Sequence, residues 1–276
     1  MAFGLSVSAE EGKPRAVLSS FLGSLAAASI VAVTYDPLRL PPAIPALVCA
    51  LALVLFADDR GLATSKACLL IIMAAAATLG SSAVVAATQG TSVSAVIEEY
   101  ASAVSAAAGG SQGLGLREKT AYAVFLVKTY WPLAYLADGG LLVLFSKFGR
   151  NTCLRGKGLQ PRRTPLADFD LPLWVLPAFI AGFVLSAAAS QAAGLPAELD
   201  FAGRNLLAGT RVFLFVQGAA VTVGFLRKRG AGVVTQAAAM MVAAWLELSF
   251  VIVSAVGAID LVANFRGLPR GLRDTR

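Results

Sequence analysis

Long apolar runs separated by short polar segments dominate the hydrophobic pattern of this chain. A helix needs about 20 apolar residues to cross a hydrocarbon core of ~30 Å. Six runs reach or approach that length, and each predicts a membrane-spanning helix: 16–34, 42–57, 62–88, 120–145, 171–193 and 201–226. The first run is longer than the ~7 to 15 apolar residues of a cleaved signal, so we expect it to be retained. The sequence predicts an all-α, polytopic transmembrane helical bundle.

The last apolar run, 231–264, has a length that fits neither one span nor two. At the helical rise it would extend roughly 51 Å, which is too long for one straight crossing and short for two. We interpret it as a helical hairpin that breaks near Glu247, and one long tilted helix is the alternative. The hairpin gives about eight spans, within a range of six to eight.

Positive charge follows a topological pattern, because cytoplasmic loops of membrane proteins are rich in Lys and Arg. Most of the 23 basic residues fall on one side of the predicted layout, in the tail 1–15, the loop 148–170 and the tail 265–276 among other segments. Both termini are therefore predicted to be cytoplasmic, on a single integral membrane domain covering 1–276. The net charge of +7 then needs no nucleic-acid partner.

The composition excludes several kinds of chemistry. Hydrophobic residues make up 57% and charged residues 14% of the chain, whose mean hydropathy is +0.74. Without histidine there is no His-based triad, relay or metal site. The three cysteines lack zinc or CxxC spacing, and the Gly-Lys pair 156–157 lacks the rest of a phosphate-binding loop. We expect no cofactor, no metal, no ATPase and no enzymatic activity.

The polar segment 89–119 contains apolar residues at helical spacing, which are Val93, Val96, Ile97, Tyr100 and Val104. Gly109 and Gly110 are typical of a helix end. The segment predicts an extracytoplasmic amphipathic helix, which either packs at the lipid headgroups or covers the mouth of the bundle.

Charged residues inside predicted spans mark the candidate site, because they are costly in lipid unless partnered or hydrated. Lys128, Trp131, Tyr135 and Asp138 fall within an ~80° stripe of one helix face, and Pro132 among them should kink the helix. This stripe is a candidate wall for a small polar or anionic ligand. The alternative is that the aromatic residues pack, Lys128 snorkels outward and Asp138 faces the cytoplasmic end.

A second group lies in the last spans. Arg211 should face protein or water, and Glu247 is a carboxylate deep in the same bundle. One interpretation is an Arg211–Glu247 ion pair, since buried charges are usually paired. The other is that Arg211, Gln217 and Glu247 join Lys128 in a ligand pocket.

The C-terminal third resembles the YybS-like family of uncharacterised bacterial membrane proteins. The matching blocks are Leu171-Pro172-Leu173-Trp174, Asn205, Gln217-Gly218-Ala219-Ala220-Val221, Gly257-Ala258-Ile259-Asp260 and Asn264-Phe265-Arg266. The family is distantly similar to the substrate-binding subunits of energy-coupling-factor transporters. The resemblance implies a multi-pass protein of the bacterial inner membrane that binds a small molecule and depends on a separate energising module.

The residues of these blocks also have structural interpretations. Gly218 permits close helix contact, Asn205 and Gln217 can hydrogen-bond across helices, and Arg266 can anchor the membrane boundary beside Asp260. Two functions therefore stay open. We expect a small-molecule-binding transport subunit with no ATPase of its own, and the alternative is a non-transporting scaffold that organises cell-envelope or signalling partners.

Overall fold

All the regular structure that can be described in this chain is helical. The structure, a computed structural model, describes residues 21–27, 29–30, 34, 40–56, 64–109, 114–156, 165–191 and 196–268. Within these ranges there is no strand; residues 21–27, 29–30 and 34 are helical, and after them a single 3₁₀ turn, Leu166–Asp168, accompanies eight α-helices whose bounds are described. They are α1 Leu40–Phe56, α2 Thr64–Thr88, α3 Val93–Gly109, α4 Leu114–Gly156, α5 Val175–Gln191, α6 Ala197–Lys228, α7 Val233–Phe250 and α8 Ile252–Ala263. The all-α prediction is confirmed for the described residues.

Three of the described helices, α2, α6 and α7, are long and apolar enough to cross a membrane. Helices α5 and α8 are apolar but shorter. Of the predicted first span, 16–34, residues 21–27, 29–30 and 34 are described, and all of them are helical; the rest of the span lies outside the described residues. Eight spans and cytoplasmic termini therefore stay predictions.

The last apolar run is broken, as the hairpin interpretation requires. Helix α7 ends at Phe250 and α8 begins at Ile252. Between them Val251 has a left-handed backbone, with φ of 59°, a conformation that costs roughly 1–2 kcal/mol for an L-residue. One continuous helix is therefore wrong, and the break lies four residues after Glu247. Helix α8, with 12 residues, is only ~18 Å long, less than a bilayer core.

The chain divides into two compact units, Met1–Arg162 and Arg163–Arg276. In the first unit α4 packs against α1, α2 and α3, and the core is apolar around Leu53, Leu70 and Val143. A Cβ placed on Gly139 would lie 2.5 Å from the Ile71 carbonyl oxygen. Helices α2 and α4 are therefore in close backbone contact at this glycine.

Helix α4 is kinked where the sequence predicts it. Tyr130 has φ of −112° and ψ of 15°, outside the helical range. Pro132 lacks an N–H, and its ring clashes with the carbonyl of Lys128 in a straight helix. The kink confirms the prediction made from Pro132.

In the second unit α6 is the central helix, against which α5, α8, the 3₁₀ turn and, less extensively, α7 pack. Glycines make the α6–α8 contact possible. A Cβ on Gly218 would collide with the Val253 carbonyl oxygen, and one on Gly257 with that of Leu214. The interpretation of Gly218 as a close-contact residue is confirmed.

Candidate functional site

The side-chain amide of Gln217 lies at the centre of the second unit, completely buried. Its Oε1 accepts a hydrogen bond from the Leu171 backbone N–H at 3.0 Å. Its Nε2 donates to Oδ2 of Asp260 at 2.9 Å and to Oδ1 of Asp170 at 3.1 Å. Gln217 thus connects α6, α8 and the segment before α5 through both ends of one amide.

Arg266, beyond the end of α8, binds the same two carboxylates. Its Nε and Nη2 donate to Oδ2 of Asp260 at 3.2 and 3.0 Å, and Nη2 lies 3.5 Å from Oδ1 of Asp170. Its Nη1 donates to the carbonyl oxygens of Ala167 and Phe169 at 2.8 and 2.6 Å. We call Asp170, Gln217, Asp260 and Arg266 the Gln217–Arg266 network.

This network is buried and ionic. The side chain of Arg266 is 5% exposed and that of Asp260 is 0% exposed. Buried charges of this kind are tolerated only when they are paired and hydrogen-bonded, and Oδ2 of Asp260 is both paired with Arg266 and hydrogen-bonded to Gln217. The arrangement fixes the 3₁₀ turn and the end of α8 onto α6. The guanidinium of Arg266 is bound inside the protein, and its position at the membrane boundary stays a prediction.

The network brings together residues from separate blocks of the family resemblance. Gln217, Asp260 and Arg266 belong to three different blocks, and the Leu171 N–H belongs to a fourth. Pro172 and Trp174 follow directly, before α5 begins. The prediction that Gln217 hydrogen-bonds across helices is confirmed. For Asn205, the amide donates to the Phe201 carbonyl of its own helix at 2.9 Å.

Arg211 and Glu247 form the ion pair that the sequence predicts. Nε of Arg211 lies 2.7 Å from Oε1 of Glu247, and Nη2 donates to the Glu247 carbonyl oxygen at 2.8 Å. The carboxylate also accepts the hydroxyl of Ser254 at 2.6 Å and its backbone N–H at 2.8 Å. Glu247 therefore caps the N-terminus of α8, where a negative charge is favoured by the helix dipole.

This cap gives a physical reason for the left-handed Val251. The turn at Val251 allows a carboxylate near the end of α7 to bind the first turn of α8. The hydroxyl of Ser254 has two acceptors within reach, the Glu247 carboxylate at 2.6 Å and the Arg211 carbonyl oxygen at 3.2 Å, and the carboxylate is the closer one. The hydrogen bonds made here offset the backbone strain.

Sequence reasoning missed Asp170 and Ser254. Asp170 directly precedes the Leu171 block, but nothing in its spacing links it to Arg266, which is 96 residues away. Ser254 follows Glu247 by seven residues, a relation that has meaning only once the helix breaks at Val251. Both contacts depend on tertiary structure and not on helical periodicity.

In the first unit the predicted stripe on α4 is not one continuous inward face. Lys128 is exposed, whereas Trp131 and Tyr135 are half-buried and pack edge to face, with ring centroids 5.9 Å apart. Asp138 accepts the Thr78 hydroxyl from α2 at 3.2 Å. The four side chains do not form the predicted stripe because the non-helical Tyr130 interrupts the regular rotation of 100° per residue between Lys128 and the three residues that follow the kink. The outward position of Lys128 agrees with the snorkelling alternative.

The predicted ligand-binding residues are thus divided between the units. Lys128, Trp131, Tyr135 and Asp138 belong to the first unit, and Arg211, Gln217 and Glu247 belong to the second. Among the residues that the structure describes, no cluster of three Cys, Asp or Glu could hold a metal ion.

Comparison with models of known protein families, with curated proteins and with solved structures found no match to this chain. The resemblance to the YybS-like family therefore depends on the blocks quoted above.

Proposed function

We propose that this protein is a multi-pass protein of the bacterial inner membrane that acts as a non-transporting scaffold for another membrane protein. One observation carries the proposal. In the second unit, the polar side chains expected to bind a ligand are bound to other side chains of the protein: Gln217 to Asp170 and Asp260, and Arg211 to Glu247. A small-molecule pocket needs convergent polar groups that are directed at the ligand. In this unit the same groups hold helices together.

The surface of α7 supports the second part of the proposal, the binding of a partner. Only 11% of the 18 residues of α7 are buried, compared with 44% of the residues in the apolar 18-residue stretch of α6. Val234, Trp245 and Leu248 are among its exposed residues. Helices in a membrane associate through van der Waals packing of their faces, with small residues allowing the closest approach. We assign the partner surface to this uncovered face of α7, with the basic loop 148–170 and tail 265–276 as cytoplasmic contacts for cell-envelope or signalling partners.

Site-specific photo-crosslinking in native membranes tests the scaffold function. A photoreactive residue replaces Trp245 of α7 in the full chain, and in a control chain it replaces Phe183, an exposed aromatic of α5. We expect one recurring protein adduct from position 245 and only lipid adducts from position 183. Lipid adducts alone at both positions would contradict the proposal.

The transport-subunit function remains the second candidate, and the first unit favours it. Lys128 supplies an exposed cation on α4, and the half-buried pair of Trp131 and Tyr135 on the same helix supplies aromatic surface, which are residue types that suit an anionic ligand. Such a subunit would need a separate energising module. The test is thermal stability of the detergent-purified full chain with a panel of vitamins. This candidate requires a vitamin that stabilises the native chain but not Lys128→Gln, and it fails if none does.

A further inference from the structure

An open groove lies in the second unit between the 3₁₀ turn, the end of α6 and the start of α7. Its volume is 530 Å³, within the roughly 300 to 1,000 Å³ of small-molecule sites. Its apolar wall consists of Leu166, Ala167, Val223, Val233, Ala237 and Met240. Arg227 and Gln236 supply its polar side chains. The groove is therefore mainly apolar, with one cationic side chain in its lining.

Arg227 differs from the two basic residues that follow it. Lys228 donates to the Arg266 carbonyl oxygen at 3.3 Å, and the guanidinium of Arg229 lies 4.3 Å from the centroid of the Phe225 ring. Gln236 donates to the Ala231 carbonyl oxygen at 2.9 Å. Within the described part of the chain, the guanidinium of Arg227 has no hydrogen-bond or ion-pair partner. It is the charge that this groove offers to a ligand.

We propose that this groove binds an anionic phospholipid, whose acyl chain lies along the apolar wall while its phosphate pairs with Arg227. Guanidinium groups bind phosphate through paired hydrogen bonds, and the apolar side chains of the wall offer an acyl chain a matching surface. A free phosphate would pair with Arg227 but leave the apolar wall uncovered. A second copy of this chain would bring its own basic residues next to Arg227, and like charges repel. Basic pockets between membrane helices bind lipid headgroups in this way.

The groove proposal rests on the proposed membrane location but not on the scaffold function. Native mass spectrometry of the full chain in detergent tests it, with added phosphatidylglycerol or phosphatidylcholine as the probes. The variant is Arg227→Gln, and the matched control is Arg229→Gln, which removes the same charge two residues away from a side chain that does not line the groove. We expect the native chain and the control to retain phosphatidylglycerol preferentially. Arg227→Gln should retain it about fivefold less, since one basic residue near an anionic lipid contributes ~1 kcal/mol.

A second variant tests the apolar wall. Ala237→Phe fills the groove and should reduce retention of both lipids, while the chain elutes as the native protein does on size exclusion. Equal loss of phosphatidylglycerol in both arginine variants would overturn the proposal, because the effect would then be one of general charge. Unchanged retention in Ala237→Phe would also overturn it, as would displacement of the lipid by excess inorganic phosphate.

A separate experiment tests whether the chain is located in the membrane. Recovery of the chain in the aqueous fraction after carbonate extraction, without detergent, would contradict the membrane location itself. A chain that stays in the membrane fraction but shows no preference for phosphatidylglycerol would overturn the groove proposal alone.

Discussion

Replacement of Arg266 by Gln tests the Gln217–Arg266 network at its most costly point. The substitution removes the guanidinium that contacts Asp260 at 3.0 and 3.2 Å and two backbone carbonyls at 2.6 and 2.8 Å. The carboxylate of Asp260, with no exposed side-chain surface, then stays buried without its charge partner. Breaking a buried ion pair by removing one partner costs about 3–5 kcal/mol. We expect the free energy of unfolding to fall by an amount in that range.

The assay is equilibrium unfolding of the full chain in mixed micelles at increasing SDS fraction. Arg229→Gln is the control, because Arg229 is exposed and its contact with the Phe225 ring is worth roughly 0.5–1 kcal/mol. In the double variant Asp260→Asn/Arg266→Gln no charge of the pair remains, so its loss should be smaller than the sum of the single losses by about 1–3 kcal/mol. Additive losses, or a loss in Arg266→Gln no larger than in the control, would refute this account of the network.

Three further outcomes follow from the packing, the helix cap and the topology. Gly139→Ala should destabilise the first unit, because its Cβ would lie 2.5 Å from a backbone oxygen, whereas Gly140→Ala, with nothing within 4 Å, should stabilise it by about 0.5–1 kcal/mol; the same SDS titration measures both, and equal effects would contradict the close α2–α4 contact. Ser254→Ala should cost about 1 kcal/mol by removing the hydroxyl bonded to Glu247, and an unchanged midpoint would argue against a stabilising role for that hydrogen bond. A cysteine at position 155 should react with an impermeant thiol reagent only after the membrane is opened, over a low background because the three native cysteines are buried; labelling in intact cells would reverse the predicted topology.

The sequence predicted those features that follow from local periodicity or from the properties of single residues. The apolar runs coincide with α1, α2 and α5 to within a few residues, and Pro132 marks the kink in α4. These features need no knowledge of which helices are neighbours. The ion pair of Arg211 and Glu247, which lie 36 residues apart, was one of two interpretations that pairing of buried charges left open, and the structure shows it.

The rest required tertiary structure. The kink at Tyr130 removed the regular rotation on which the Lys128–Asp138 stripe depended. From the sequence we interpret Arg266 as a boundary residue because it follows the last apolar run. Its burial depends on the carbonyl groups of Ala167 and Phe169, which lie 99 and 97 residues earlier in the chain. Long-range polar contacts of this kind leave no periodic signal.

Native mass spectrometry of the detergent-purified full chain tests most directly the claim that the polar residues of the second unit are structural. The account predicts the 28.4 kDa chain with bound phospholipid or a second protein, and no other small molecule. A stoichiometric ligand that is not a lipid and is lost in a folded Gln217→Leu variant would contradict it.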